Sequence, residues 1–223
     1  MTGNKAQITY SSEIARKGIH LASLLIPIIY LQLEHSTGLL VLVSMTAASI
    51  ALDALMHYHE PSRKFKLSTM GHLLRPHERH EDRFLLTGAS WVLISATSTF
   101  LVFPTLIAVT AFSVLIVSDT CAALVGRRYG SRPFLDKSAV GAVTFILSSM
   151  VVVVVYGKIY GPAWPFFAIG ALSSIVAGVV EAGSIRMRLD DNLSVPFSFA
   201  IVMWALGVLL VYLGFPDFIN TIS

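Results

Sequence analysis

Apolar residues fill this chain in long runs, broken by short polar stretches at near-regular intervals. A helix needs about 20 mostly apolar residues to cross the hydrocarbon core of a bilayer. Seven runs are of that order: 14–33, 38–56, 84–103, 106–125, 139–156, 164–183 and 193–214. The pattern predicts an all-α polytopic membrane protein of about seven transmembrane helices, forming one integral membrane domain over 1–223 with no internal repeat or low-complexity tract. Arg16 and Lys17 lie inside the first run, where long basic side chains reach back to the headgroups. Polar residues precede Ile14 and no small-residue cleavage site follows, so the first span is expected to be retained.

Composition agrees. Of the 223 residues, 55% are hydrophobic and 13% charged, against roughly 25% charged in soluble domains. Lysine and arginine favour cytoplasmic loops. Fifteen of the sixteen fall in the N-terminal segment and in the second-to-third, fourth-to-fifth and sixth-to-seventh connections; Lys158 alone lies on the other side. The expected orientation is N-terminus in the cytoplasm and C-terminus outside, in the inner membrane. The net charge of +3 leaves no soluble basic domain to bind nucleic acid. Cys121 is the only cysteine, so no intrachain disulfide forms.

Ionisable groups inside spans are costly and are functional candidates by default. Asp53, Asp119 and Glu181 are three such acids, each near the inner end of its helix under this orientation. The bland reading, a capped or snorkelling acid, weighs most at Asp53. In the first span Glu13, Arg16, Lys17 and His20 share one helix face by their i, i+3, i+4, i+7 spacing. The structural reading is a basic anchor. The functional one puts Lys17 on a phosphate and His20 on a substrate hydroxyl or phosphate.

The segment 118–141, SDTCAALVGRRYGSRPFLDKSAVG, joins the fourth and fifth spans. Gly126 and Gly130 are expected to turn the chain at positive φ and bring N–H groups to an anion. Arg127, Arg128, Arg132 and Lys137 add charge. Lys137 and Ser138 open the fifth span, whose N-terminal dipole points the same way, and Gly141 permits close approach. Asp119 is placed to hold Mg²⁺ bridging phosphates, since that ion takes hard oxygen ligands. Six residues separate Gly130 from Lys137, so this is not a Walker A loop, and a basic cytoplasmic turn has the same appearance. Asp190, Asp191 and Asn192 open the seventh span, as caps or as ligands for a metal or ribose. Pro196 leaves the Asn192 carbonyl without its helical partner. Gly170, Ser174, Gly178 and Ala182 form a small-residue stripe suited to close helix packing. HERHE at 77–81 misses the zinc-protease spacing.

On these residues the chain resembles the CTP-dependent lipid alcohol kinases: dolichol kinase, phytol kinase and the fungal-type diacylglycerol kinase. RKGIH at 16–20 matches an Arg-Lys-x-x-His element. Asp119, Ala122, Gly126, Gly130, Lys137, Ser138 and Gly141 follow the family order, as do Glu181, Asp191, Asn192 and Pro196. LLRPHE at 73–78 and LTGASW at 86–91 look like its middle segment. Ser118 replaces a usual glycine, and Val140 replaces the glutamate of a Glu-Gly pair; use of another acid such as Asp136, a different donor, or weak catalysis are the alternatives that follow. The resemblance implies transfer of the γ-phosphate of CTP to a membrane lipid alcohol (polyprenol, phytol-like isoprenoid or diacylglycerol) at the cytoplasmic leaflet. Asp119, His20, Glu181 and Asp191 are then expected to be catalytic, with Asp119 and Asp191 on Mg²⁺. Gly126, Arg127, Arg128, Gly130, Lys137, Ser138, Gly141 and Asn192 are expected on the nucleotide, and Arg16, Lys17 and Asp53 on the acceptor. A cytidylyltransferase forming a CDP-lipid, and a non-catalytic lipid-phosphate binder or transporter, are the alternatives.

Overall fold

A computed structural model describes residues 10–62, 64, 68, 84–187 and 190–222. HERHE and LLRPHE lie outside the described residues. The described chain forms α1 (Tyr10–Ala22), α2 (Leu25–Tyr30), α3 (His35–Tyr58), α4 (Gly88–Val102) and α5 (Thr105–Tyr129). A hairpin of β1 (Pro133–Phe134) and β2 (Lys137–Ser138) follows, then α6 (Ala139–Tyr160), α7 (Pro165–Ala182), α8 (Ser184–Met187) and α9 (Asp191–Tyr212). Among the described residues five helices are long and apolar enough to cross a membrane: α3, α5, α6, α7 and α9. The chain is an all-α membrane protein, its described residues including one two-stranded antiparallel ribbon.

Two of the expected spans are shorter helices. The first is broken between α1 and α2, where Ser23 N–H and Leu24 N–H bond back three residues, to the His20 and Leu21 carbonyls. Pro27 has no N–H to give the Ser23 carbonyl, and Ile26 N–H takes it instead at 3.0 Å. The third, α4, has 15 residues rather than the expected 20. It starts at Gly88 because Thr87 is extended and caps it, and it stops before Pro104.

The core is centred on α5. Of its apolar window 83% is buried, against 11% for α3. Phe100, Phe112, Phe145, Phe166 and Phe199 fill the interior. The small-residue stripe lets α7 lie against α6: a Cβ on Gly170 would sit 2.6 Å from a Val153 methyl, and one on Gly178 2.5 Å from Ile146. Hydrogen bonds add to the packing, Ser149 to Ser118 at 3.0 Å and Ser113 to Tyr156 at 2.8 Å. Lipid offers helices no hydrophobic drive to associate, so close approach and interhelical hydrogen bonds carry that work. Leu40, Val43, Leu147, Val151 and Val208 face outward, as a lipid-solvated surface requires.

Candidate functional site

The last three turns of α5, the hairpin, the first turn of α6, the end of α7 and the start of α9 meet α1 around a cavity of about 360 Å³. Arg16, Lys17, Arg127 and Lys137 supply four cations to its wall, and Asp119, Glu181 and Asp191 three carboxylates. Ala122, Ala123, Gly126, Ser138 and Gly141 complete it. Ten of the residues singled out from sequence are thereby brought together.

Local structure explains the shape. Gly126 lies within α5, and Gly130 has φ −74°, so neither has the positive φ expected of it. Both are needed for room instead. A Cβ on Gly126 would lie 3.1 Å from the Gly141 Cα, and one on Gly130 would collide with the Gly126 carbonyl and the Ser138 side chain. The positive φ in this loop belongs to Leu135, at 53°, between the hairpin strands. Ser138 is the N-cap of α6, its Oγ accepting from Gly141 N–H at 3.1 Å. Ala139 N–H closes the hairpin onto the Arg132 carbonyl at 2.9 Å.

Two ion pairs cross the cavity wall. Lys17 on α1 donates to Asp119 Oδ2, with both side chains nearly buried. His20 Nε2 lies 3.6 Å from the same oxygen, and the residue is not part of the cavity lining. Lys137 donates to Glu181 Oε1 and lies 3.5 Å from Asp191 Oδ2. Burial works to lower the pKa of Lys137, but the Asp191, Glu181 and Asp119 carboxylates outweigh it, so the ammonium is held above the ordinary lysine value. The other Glu181 oxygen, Oε2, is buried without a hydrogen-bond partner among the described residues.

Other expected residues lie elsewhere. Asp53 is not on the cavity wall. It accepts from Thr87 N–H at 2.9 Å, Thr87 Oγ1 at 3.0 Å and Ser90 Oγ at 2.6 Å, which fastens α3 to the start of α4. That is the capped-acid reading. Arg128 is exposed over the Tyr129 ring, 5.4 Å from its centroid. The Asn192 side chain donates to Asp190 Oδ1 at 2.8 Å, and Asp190 caps α9, which leaves Asp191 as the acid facing the cavity. Asp136 does not take over for Val140: its carboxylate accepts from the Arg186 backbone N–H and Nε, each at 2.9 Å. Sequence reasoning missed this latch, in which Asp136 N–H also bonds the Ala182 carbonyl at 2.9 Å. It ties the hairpin to the α7–α8 turn and so sets where Lys137 stands. No spacing rule links positions 136 and 186.

Among the described residues no three His, Cys, Asp or Glu side chains gather as a metal cage. Mg²⁺ in phosphate sites takes one or two carboxylates and completes its shell with phosphate and water. Asp119 and Asp191 are carboxylates of the type that takes part in such a shell.

These features define a helical membrane protein with a charged cavity at one end of its bundle. The chain is 31% identical, over 192 residues, to an uncharacterized protein of Rickettsia prowazekii (strain Madrid E), covering 86% of this chain and 93% of that one. It belongs to the same family as that rickettsial protein. No protein-family model matches the chain, and no solved structure does.

Proposed function

We propose that this protein is a CTP-dependent kinase that transfers the γ-phosphate of CTP to a lipid alcohol at the cytoplasmic leaflet of the inner membrane. The observation that carries the reading is the convergence of α1, the 126–141 loop, Glu181 and Asp191 on one cavity. These are the elements on which the chain resembles the lipid alcohol kinases, and they are far apart in sequence.

Phosphoryl transfer asks a protein mostly for positioning and charge neutralisation. Lys137 and Arg127 line the cavity beside the tight Gly126–Gly141 contact and are assigned to the triphosphate, with Ser138 holding the loop in shape. Arg16 and Lys17 face the phosphate from α1. Asp119 and Asp191 would hold Mg²⁺, which supplies charge neutralisation at the β- and γ-oxygens. His20 or Glu181 orients the acceptor hydroxyl, and a carboxylate takes its proton. The acceptor enters sideways between helices, its tail remaining in lipid. In this reading α1–α2 and α4 cross the bilayer with the five longer helices, giving seven crossings, and the distribution of basic residues supports a cavity on the cytoplasmic side.

The test uses purified protein in vesicles with Mg²⁺, a panel of lipid alcohols, and CTP labelled at the α or γ phosphate. Label from γ in the lipid fraction is the expected result, and the labelled species identifies the acceptor. Label from α instead means a cytidylyltransferase. Binding of CTP and lipid without transfer means a non-catalytic binder.

A further inference from the structure

Glu181 is the least explained group in the cavity. It sits one residue before the end of α7 and is 2% exposed. Its two oxygens differ: Oε1 accepts from Lys137, while Oε2 has no hydrogen-bond partner among the described residues. A buried carboxylate oxygen left unsatisfied is costly, and this one belongs to a side chain that lines the cavity and is screened there by its Lys137 partner. The metal is assigned to Asp119 and Asp191, and a triphosphate donates no hydrogen bond. A hydroxyl does.

Lys137 adds a second constraint. It is shared between Glu181 and Asp191 and stands on the hairpin strand leading into α6, on the wall where the phosphates are assigned. A lysine there cannot fully serve two carboxylates and a phosphate chain. Attraction between unit charges scales with charge and proximity, so a triphosphate carrying several negative charges draws the ammonium away from a single carboxylate. The latch between Asp136 and Arg186 fixes the backbone beside Lys137, leaving the flexible side chain to swing.

We infer that nucleotide binding transfers Lys137 from Glu181 to the phosphates, and that Glu181 Oε2 then receives the hydrogen bond of the acceptor hydroxyl and takes its proton as the hydroxyl oxygen attacks. In that step the O–H bond breaks with its proton going to Oε2. A bond forms between the acceptor oxygen and the γ-phosphorus, and the γ-phosphorus–oxygen bond to CDP breaks with its electron pair leaving on CDP. Glu181 lines the cavity and His20 does not; the His20 ring stands beside Asp119, its Nε2 3.6 Å from Oδ2. The inference rests on the kinase reading above and assigns the proton acceptor within it.

The test is Glu181→Gln in the full-length protein in vesicles. General-base removal lowers turnover by about 10²–10⁴-fold, so a loss in that range is expected, with CTP affinity unchanged or raised because Lys137 is released to the phosphates. The deciding readout is the acceptor. A lipid alcohol whose hydroxyl is acidified by neighbouring fluorines needs less help from a base, so it should recover a large part of the lost rate in the variant while changing the wild type little. A purely structural role gives the same fractional loss with both alcohols and overturns the assignment, as does turnover within a few-fold of wild type. Should Glu181→Gln fail to fold, Glu181→Asp keeps the charge for Lys137 but withdraws the oxygens by one methylene, and the same acceptor dependence is required of it. Absence of γ-label with wild-type protein removes the kinase reading and this inference with it, whereas wild-type labelling with an acceptor-independent Glu181 loss removes the inference alone.

Discussion

Lys17 is 4% exposed and Asp119 8%, and each is the other's charge partner. Removing one member of such a pair leaves an uncompensated charge and typically costs about 3–5 kcal/mol, whereas replacing both by apolar groups is often neutral. Asp119→Asn is therefore expected to abolish label transfer and to lower stability by about 3 kcal/mol while the protein still folds. Lys17→Met with Asp119→Leu should restore stability in a detergent unfolding measurement without restoring transfer. Unchanged transfer in Asp119→Asn would take this carboxylate out of the chemistry. Single residues were legible in the sequence where an ionisable group interrupts an apolar run, because burying charge in a span needs a reason. What such a charge is for was not legible. Asp53 carries the same signal as Asp119, yet its carboxylate is spent on Thr87 and Ser90.

At the scale of elements, the two glycines and the acid on α3 give opposite expectations. Gly130→Ala places a methyl against the Gly126 carbonyl and Ser138, so the hairpin must shift and carry Lys137 with it. CTP affinity should fall by about tenfold, a change of 1.4 kcal/mol, with a smaller loss of stability. Asp53→Ala removes the acceptor of Thr87 N–H, Thr87 Oγ1 and Ser90 Oγ at the start of α4; Ser90 keeps Ser49 as a partner at 2.7 Å, so the loss falls mainly on Thr87, at about 1–3 kcal/mol. It should lower stability while nucleotide affinity in the folded fraction stays unchanged. Equilibrium binding and thermal unfolding on the same preparations separate the two, and an affinity loss in Asp53→Ala would return that residue to the site. The long helices were legible because hydropathy reports burial in lipid directly. The hairpin was not, since two residues per strand leave no periodic trace. Nor was the late start of the third run's helix at Gly88, which depends on an acid 34 positions upstream taking the Thr87 N–H.

For the whole molecule, orientation is the expectation with the simplest check. Cys121 is the only cysteine, so a Cys121→Ser background carries single probes cleanly. In intact cells an impermeant thiol reagent should modify Lys158→Cys and reach Arg132→Cys only after permeabilisation. The reverse pattern would put the cavity outside, away from cellular CTP, and sink the kinase reading. The general plan was readable from sequence because alternating basic connections and apolar runs have independent physical causes, topology and solvation, that agree. The gathering of α1 with α5, α7 and α9 around one cavity was not, because contacts between such distant segments leave no local pattern. The resemblance through RKGIH and the 119–141 segment was the one clue that they act together.

The pairing of Lys17 with Asp119 spans 102 positions, and that of Lys137 with Glu181 spans 44. A ribosome delivers these charges one at a time, so each cation enters the membrane well before its counter-ion exists. A nascent chain halted at Tyr160 would hold Lys137 and the hairpin with neither Glu181, Asp191 nor Arg186 to receive them. Cells that destroy half-made membrane proteins by sensing unpaired charge would recognise such a fragment. In a pulse-chase measurement the 1–160 fragment should be short-lived, and Lys137→Leu should prolong its life; equal lifetimes would show that this charge is not what marks it. A longer-lived Lys137→Leu fragment would give the cavity a second purpose during synthesis, as the seal that distinguishes a finished chain from an unfinished one.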